Sequence, residues 1–175
     1  MKAKERRQQI LTDLRLSQSP ITANQFADKY QVSRQVIVGD IALLRAGYAD
    51  ILATNQGYVL AELAGPKSST AYQGKIVCQH GPEQTEEELH IIIQDGGQIE
   101  DVQVDHPVYG ILKASLKISS LADIEYFIQQ MSDYQGEMLS SLTDGIHIHS
   151  LTTPTVEEFK QIKADLKAAG ILYTR

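Results

Sequence analysis

Within residues 1–60 the hydrophobic positions repeat at helical spacing three times and then switch to strand alternation. Ile10, Leu11 and Leu14, inside residues 4–17, predict a first amphipathic helix. In "TANQFADKY" the residues Ala23, Phe26, Ala27 and Tyr30 make one apolar stripe. Thr22, with Gln25 three positions later, predicts a capping box at the start of that helix. A tight connection through Tyr30, Gln31 and Val32 leads to Ser33, a good N-cap for "RQVIVGDIALLRAG", which Gly47 ends. "DILAT" and "GYVLA" then alternate around Asn55-Gln56-Gly57, the pattern of a hairpin. Two short, closely joined helices followed by a hairpin predict a winged helix-turn-helix.

The next stretch, "AGPKSST" at residues 64–70, is the predicted linker between a domain over 1–63 and a second over 71–175. Beyond it the pattern is mixed. "GKIVCQH" predicts a strand ending at His80, and "TEEELHIIIQDGG" a helix with Thr85 as N-cap and Gly96 past its end. Residues 98–118 read as two strands around "DHPVYG". Residues 119–134 read as an amphipathic helix through Leu121, Ile124, Phe127, Ile128 and Met131. "GIHIHSL" follows as a strand, then a helix over 155–169 between Thr155 and Gly170, then a short final strand, "ILYT". The order βαββαβαβ predicts an α+β sandwich, with helices on one face of a largely antiparallel sheet.

Composition narrows the function classes. No apolar run is long enough to span a bilayer and no apolar signal core follows the basic N-terminus, so a cytoplasmic protein is expected. A single cysteine, Cys78, excludes an internal disulfide and a Cys-rich zinc module; its place in "KIVCQH" reads as a small core residue. Residues 1–60 carry eight Lys/Arg against five Asp/Glu, and residues 61–175 eight against seventeen. A head at +3 is thus joined to a body at −9, and only the head suits a polyanion.

In a winged helix-turn-helix the third helix enters the major groove by its first turn. Ser33, Arg34 and Gln35 occupy that turn, and Arg and Gln pair bidentately with guanine and adenine. The alternative is a three-helix protein-interaction domain with Arg34 as a solvated charge. Gly39 stands out, because a mid-helix glycine costs about 1 kcal/mol relative to alanine. It permits close approach either to DNA or to the preceding helix.

Two histidines, His147 and His149, alternate with Ile146 and Ile148 after an Asp-Gly turn. Residues two apart in a strand face one way, so the imidazoles share a face with Cα atoms about 7 Å apart. The isoleucines are expected to enter the core on the opposite face. In "QHGPEQTEEELH", His80 closes a strand and Glu88 lies one turn into the next helix, so the two can meet across the Gly-Pro turn. Three imidazoles and a carboxylate suit Zn, Ni, Fe or Co. Blander readings stand beside this one: polar decoration of an exposed sheet, and Glu88 as the capping-box partner of Thr85. Glu86 or Glu87 replaces Glu88 if the helix phase is off by one. His90 reads as a solvated helix residue, and His106 as an effector contact, a supporting donor or a bystander.

The sequence resembles the niacin-responsive transcriptional repressors, which join a winged helix-turn-helix to a C-terminal 3H domain. The resemblance covers nearly the whole chain and is carried by "VSRQVIVGDIALLRAGYADILAT", "HGPEQTEEEL", "VDHPVYG" and "LTDGIHIHSL". It implies a metal held by His80, Glu88, His147 and His149, with nickel indicated and zinc accepted by the same donors. It further implies nicotinic acid as co-repressor at promoters of NAD synthesis and niacin uptake genes. A homodimer on operator DNA is expected, its two recognition helices spaced for successive major grooves. Gly39 departs from the longer polar residue expected there. Other readings are a metal-dependent hydrolase, with Asp105 and His106 as the only general-base candidates, a repressor-ligase, and a structural metal clip.

Overall fold

A computed structural model describes residues 2–47, 49–61, 71–134 and 136–174. The predicted linker, residues 64–70, lies outside the described residues. The chain divides into two compact units, Met1–Lys67 and Ser68–Arg175, each with its own core.

The first unit contains α1 (Ala3–Leu16), α2 (Ala23–Tyr30), α3 (Arg34–Ala46) and a hairpin of β1 (Ile51–Thr54) and β2 (Gly57–Leu60). The capping box forms as the sequence predicts. Thr22 Oγ1 accepts from the Gln25 amide at 3.2 Å, and Gln25 Oε1 accepts from the Thr22 amide at 2.7 Å. Gln31 turns the chain through a left-handed conformation at φ 54°, and the Ser33 hydroxyl then caps α3 on the Val36 amide. Ile10, Leu14, Phe26, Ile37, Ile41, Ile51 and Leu60 close the core. The hairpin is tied to the segment before α2, where Ile21 and Tyr58 exchange backbone hydrogen bonds of 2.8 and 3.0 Å. Gly57 permits that approach: at φ +131°, a Cβ there would lie 2.6 Å from the Ile21 backbone.

One interaction in this unit has no local signal in the sequence. Asp40 is buried on α3, where Arg6 donates to it at 2.5 Å and Arg7 at 3.2 Å, both from α1. Asp40→Ala leaves the buried Arg6 guanidinium without its counter-charge. Chemical denaturation should show the N-terminal unit losing about 3–5 kcal/mol.

The second unit runs β3 (Tyr72–Gln79), α4 (Thr85–Gln94), β4 (Gln98–His106), β5 (Gly110–Ile118), α5 (Leu121–Asp133), β6 (Ile146–Thr153) and α6 (Val156–Ala168). The sheet order is β3-β6-β4-β5 and every neighbouring pair is antiparallel. Ile76, Ile99, Leu116, Ile118 and Leu151 on its inner face pack against Leu89, Ile92, Ile124, Phe159, Ile162 and Leu166 of the three helices. This is the α+β sandwich expected, with helices laid on an antiparallel sheet. Among the described residues no helix is long and apolar enough to cross a membrane.

Four local expectations are corrected. Thr85 does not cap α4: the 3-10 turn Pro82–Gln84 winds directly into the helix, so Thr85 is already helical and Gln84 is the cap. The final strand "ILYT" reduces to one bridge, Cys78 to Leu172, because the backbone of Leu166 holds Ile171 and Leu172 in the turn that ends α6. Leu121, assigned to the apolar stripe of α5, is 48% exposed at the helix start. The faces of β6 are reversed: His147, His149, Leu151 and Thr153 are buried under the helices, while Ile146 and Ile148 are only half-buried on the other face.

Candidate metal centre

The centre is built where β3, β6 and the start of α4 meet. β6 is entered through Asp144 at φ 51° and Gly145 at φ 84°, so the Asp-Gly pair is a genuine left-handed turn. A Cβ on Gly145 would lie 2.3 Å from the His80 carbonyl oxygen, so only glycine lets the start of β6 close on the end of β3. That closure sets His147 against His80, ring centroids 4.9 Å apart, and His149 a further 4.9 Å along the strand. Glu88, one turn into α4, points down between them and is 1% exposed.

All three imidazoles are aimed in the same manner. The Nδ1 atoms lie 2.7 Å from Gly81 O for His80, 2.9 Å from Gly145 O for His147 and 2.8 Å from Asp101 O for His149. A carbonyl oxygen can only accept, so each Nδ1 carries a proton and each Nε2 is turned inward. The Nε2 atoms approach the Glu88 carboxylate at 2.7, 3.2 and 3.5 Å for His80, His147 and His149. The Asp101 carbonyl is delivered by a β-bulge between Ile99 and Asp101, a device that re-aims backbone at such sites.

These spacings suit a shared cation. Two donors about 2.1 Å from one ion and at right angles to each other lie about 3 Å apart, which the three Nε2–Glu88 separations bracket. Among the described residues the donors that all lie within 4.8 Å of one another are Cys78, Glu88 and His147, with His80 and His149 joined to them through Glu88. One further donor is present that the sequence reading placed only in the core. Cys78 lies opposite His147 across β3 and β6, and its Sγ falls within the same cluster as Glu88 and His147. Alternation puts Cys78 on one face of β3, but its place opposite His147 depends on the β3–β6 register, which carries no signal in the sequence. Burial first, and then the Glu88 charge, push the Cys78 thiol far above its ordinary value.

The cluster forms the polar end of a cavity of about 230 Å³. Val102, Leu116, Phe127 and Met131 supply apolar wall, and Glu137 and Ser140 lie on the segment that follows α5. The volume is below that of drug-sized pockets and suits a single ring with a small substituent. His106 does not line it. Its Nδ1 accepts from the Val108 and Tyr109 amides in the β4–β5 turn and its ring packs on Tyr109. Glu86 and Glu87 are exposed, and His90 sits 3.7 Å from Glu86 at the helix surface. In the first unit, Ser33, Arg34 and Gln35 are exposed on the opening turn of α3.

A winged helix-turn-helix module followed by an α/β module that buries a histidine–glutamate cluster defines a two-part class of chain. The family models match both parts: the HTH domain over residues 6–59 and the 3H domain over residues 73–175. The chain is 44% identical to "Transcription repressor NadR" of Bacillus subtilis (strain 168), covering 95% of this chain and 92% of the relative. It is 39% identical to "Probable transcription repressor NiaR" of Thermotoga maritima, covering 96% and 93%. The chain belongs to the 3H-domain family, in its branch of helix-turn-helix transcription repressors.

The charge pattern fixes a pH dependence for the metal-free unit. Burial works against ionising Glu88, but the charge on His149 and the hydrogen bonds from His147, His149 and His80 hold its carboxyl well below the ordinary 4.5. Burial also works against charging His80 and His149, yet Glu88 raises both above the ordinary 6.5. A depressed carboxylate contributes stability above its ordinary value and loses it on acidification through the folded value. Raised imidazoles contribute fully below 6.5 and lose that contribution as pH rises through their folded values. Thermal unfolding with chelator present should therefore peak between pH 4.5 and 6.5.

Proposed function

We propose that the protein is a DNA-binding repressor of NAD synthesis and niacin uptake genes, with nicotinic acid or a related pyridine carboxylate as co-repressor. The observation carrying the regulatory half is the approach of three imidazole Nε2 atoms to the two oxygens of one buried carboxylate, Glu88, at the polar end of a small cavity. The DNA-binding half is supported by the helix-turn-helix match and by two relatives whose names carry the words "transcription repressor".

In this reading residues 1–63 bind DNA through Ser33, Arg34 and Gln35, and residues 71–175 form the sensor. His80, Glu88, His147 and His149 hold a divalent transition metal; nickel is the ion the resemblance implies, and zinc fits the same donors. When bound, the ion supplies positive charge and open coordination positions for an anion in a segment whose formal balance is −9. Val102, Leu116, Phe127 and Met131 pack against the ring of the ligand and exclude water from it. The backbone acceptors of Gly81, Gly145 and Asp101 keep the imidazoles in the ligating tautomer. Two copies acting together set recognition helices about 34 Å apart for successive major grooves. A coupling of about 1–3 kcal/mol between sensor and head switches occupancy roughly 5- to 150-fold.

Hydrolysis fits the site less well. Asp105 is exposed and His106 is occupied by the turn amides, so neither general-base candidate reaches the cavity.

The test is a gel-shift titration of promoter DNA with and without nicotinate, alongside metal analysis of the purified protein. His147→Ala/His149→Ala should abolish bound metal and the nicotinate response together; a double variant that still responds overturns the sensor. Chelation should remove the response while circular dichroism shows a folded chain, whereas melting on chelation identifies a structural clip. Arg34→Ala should weaken operator binding by about 1–3 kcal/mol if it reads a base, and unchanged affinity removes it from the interface.

A further inference from the structure

Gly39 sits mid-way along α3, where a glycine destabilises the helix relative to alanine. Three internal reasons for keeping a glycine are absent. Its φ is not among the positive values of the chain, so the backbone does not require it. A Cβ built there meets no atom within 4 Å outside the adjacent backbone of α3, so neither α2 nor any other element of the described chain needs the space. It is also far from the helix end, where Gly47 is the cap. The preceding helix, left open as an explanation by the sequence, is thereby removed.

The residue lies on the exposed side of α3, opposite the buried Ile37, Asp40 and Ile41. Val36 and Leu43, one turn to either side, are 39% and 58% exposed, an unusual pair on a surface that otherwise begins with Ser33, Arg34 and Gln35. This is the second helix of the matched helix-turn-helix, whose solvent face is the one that meets the major groove. The head that carries it has a formal charge of +3 over residues 1–60, which suits a polyanion.

We propose that Gly39 is the point of closest approach between α3 and duplex DNA, and that Val36 and Leu43 beside it read thymine methyl groups. The missing side chain lets the helix backbone sink towards the base edges. The flanking apolar groups then reach the one apolar feature of the major groove, the thymine C5 methyl. Arg34 and Gln35 address the outer bases of the half-site, and the centre of α3 selects A·T pairs by contact rather than by hydrogen bonding. The inference rests on the DNA-binding reading and names its specificity.

The experiment uses the full-length protein and a randomised duplex pool. Duplexes enriched by the unsubstituted chain are measured against Gly39→Ala, and again with uracil in place of thymine at each position. Melting of both proteins is followed without DNA. Gly39→Ala should raise the transition of the N-terminal unit by about 4–8 °C. It should also weaken binding to the enriched duplexes by about tenfold or more, a loss that misfolding cannot explain in a stabilised protein. Uracil should weaken binding by the unsubstituted chain at specific positions, and Val36→Ala or Leu43→Ala should erase that sensitivity. Equal affinity for Gly39→Ala, a lowered melting transition, or indifference to uracil overturns the proposal. A concentration-dependent self-association that Gly39→Ala abolishes also overturns it, by assigning the face to a second copy. If the unsubstituted chain enriches no duplex, the DNA-binding reading itself fails, and this inference with it.

Discussion

A carboxylate taken out of water without compensation costs several kcal/mol, and Glu88 is buried to within 1% of complete enclosure. Three imidazoles meet that demand. Each is desolvated itself, so neither side of the arrangement is tolerable alone. The mutual need explains why the end of β3, the start of β6 and the first turn of α4 are brought to one spot. It also explains the reversed faces of β6: the histidines lie inside because their partner lies inside, and Ile146 and Ile148 are left half-covered. A cation arriving at this cluster would replace protons as the counter-charge to a carboxylate that the fold has already committed to burying.

The N-terminal unit solves a related problem with less machinery. Asp40 is enclosed on the inner side of α3 and neutralised from α1 by Arg6 and Arg7. The hydrophobic stripes determine that α1 and α3 face each other, and this ionic contact opposes sliding between them, since any shift would separate charges in a poorly screened place. The outer side of the same helix is thereby freed of structural duties, and its residues can be judged by what lies outside the chain.

Much of this arrangement was legible from residue order. The capping box of α2, the Ser33 cap, the wing hairpin and the sequence of elements in the second unit follow from local chemistry that acts within a few residues. What escaped detection depends on distance or on context. Arg6 and Asp40 are 34 positions apart, and no periodicity links them. Two-residue alternation tells which side chains share a face of β6 but not which face is inside when both carry residues that can be buried. Thr85 has the composition of a cap, yet the preceding 3-10 turn supplies helical backbone before it is reached. Cys78 enters the donor cluster only through its cross-strand pairing with His147, a register that the sequence alone does not specify.

The three acceptors that orient the imidazoles are all main-chain oxygens, those of Gly81, Gly145 and Asp101. A point substitution can delete a side-chain partner, but it leaves a peptide carbonyl in place. The aim of the rings is therefore a property of the path of the backbone, sensitive to replacement of Gly145 but shielded from changes in the side chains around the centre. Wall residues can change and reshape the space above without touching those acceptors, so one set of donors can serve under many differently contoured roofs.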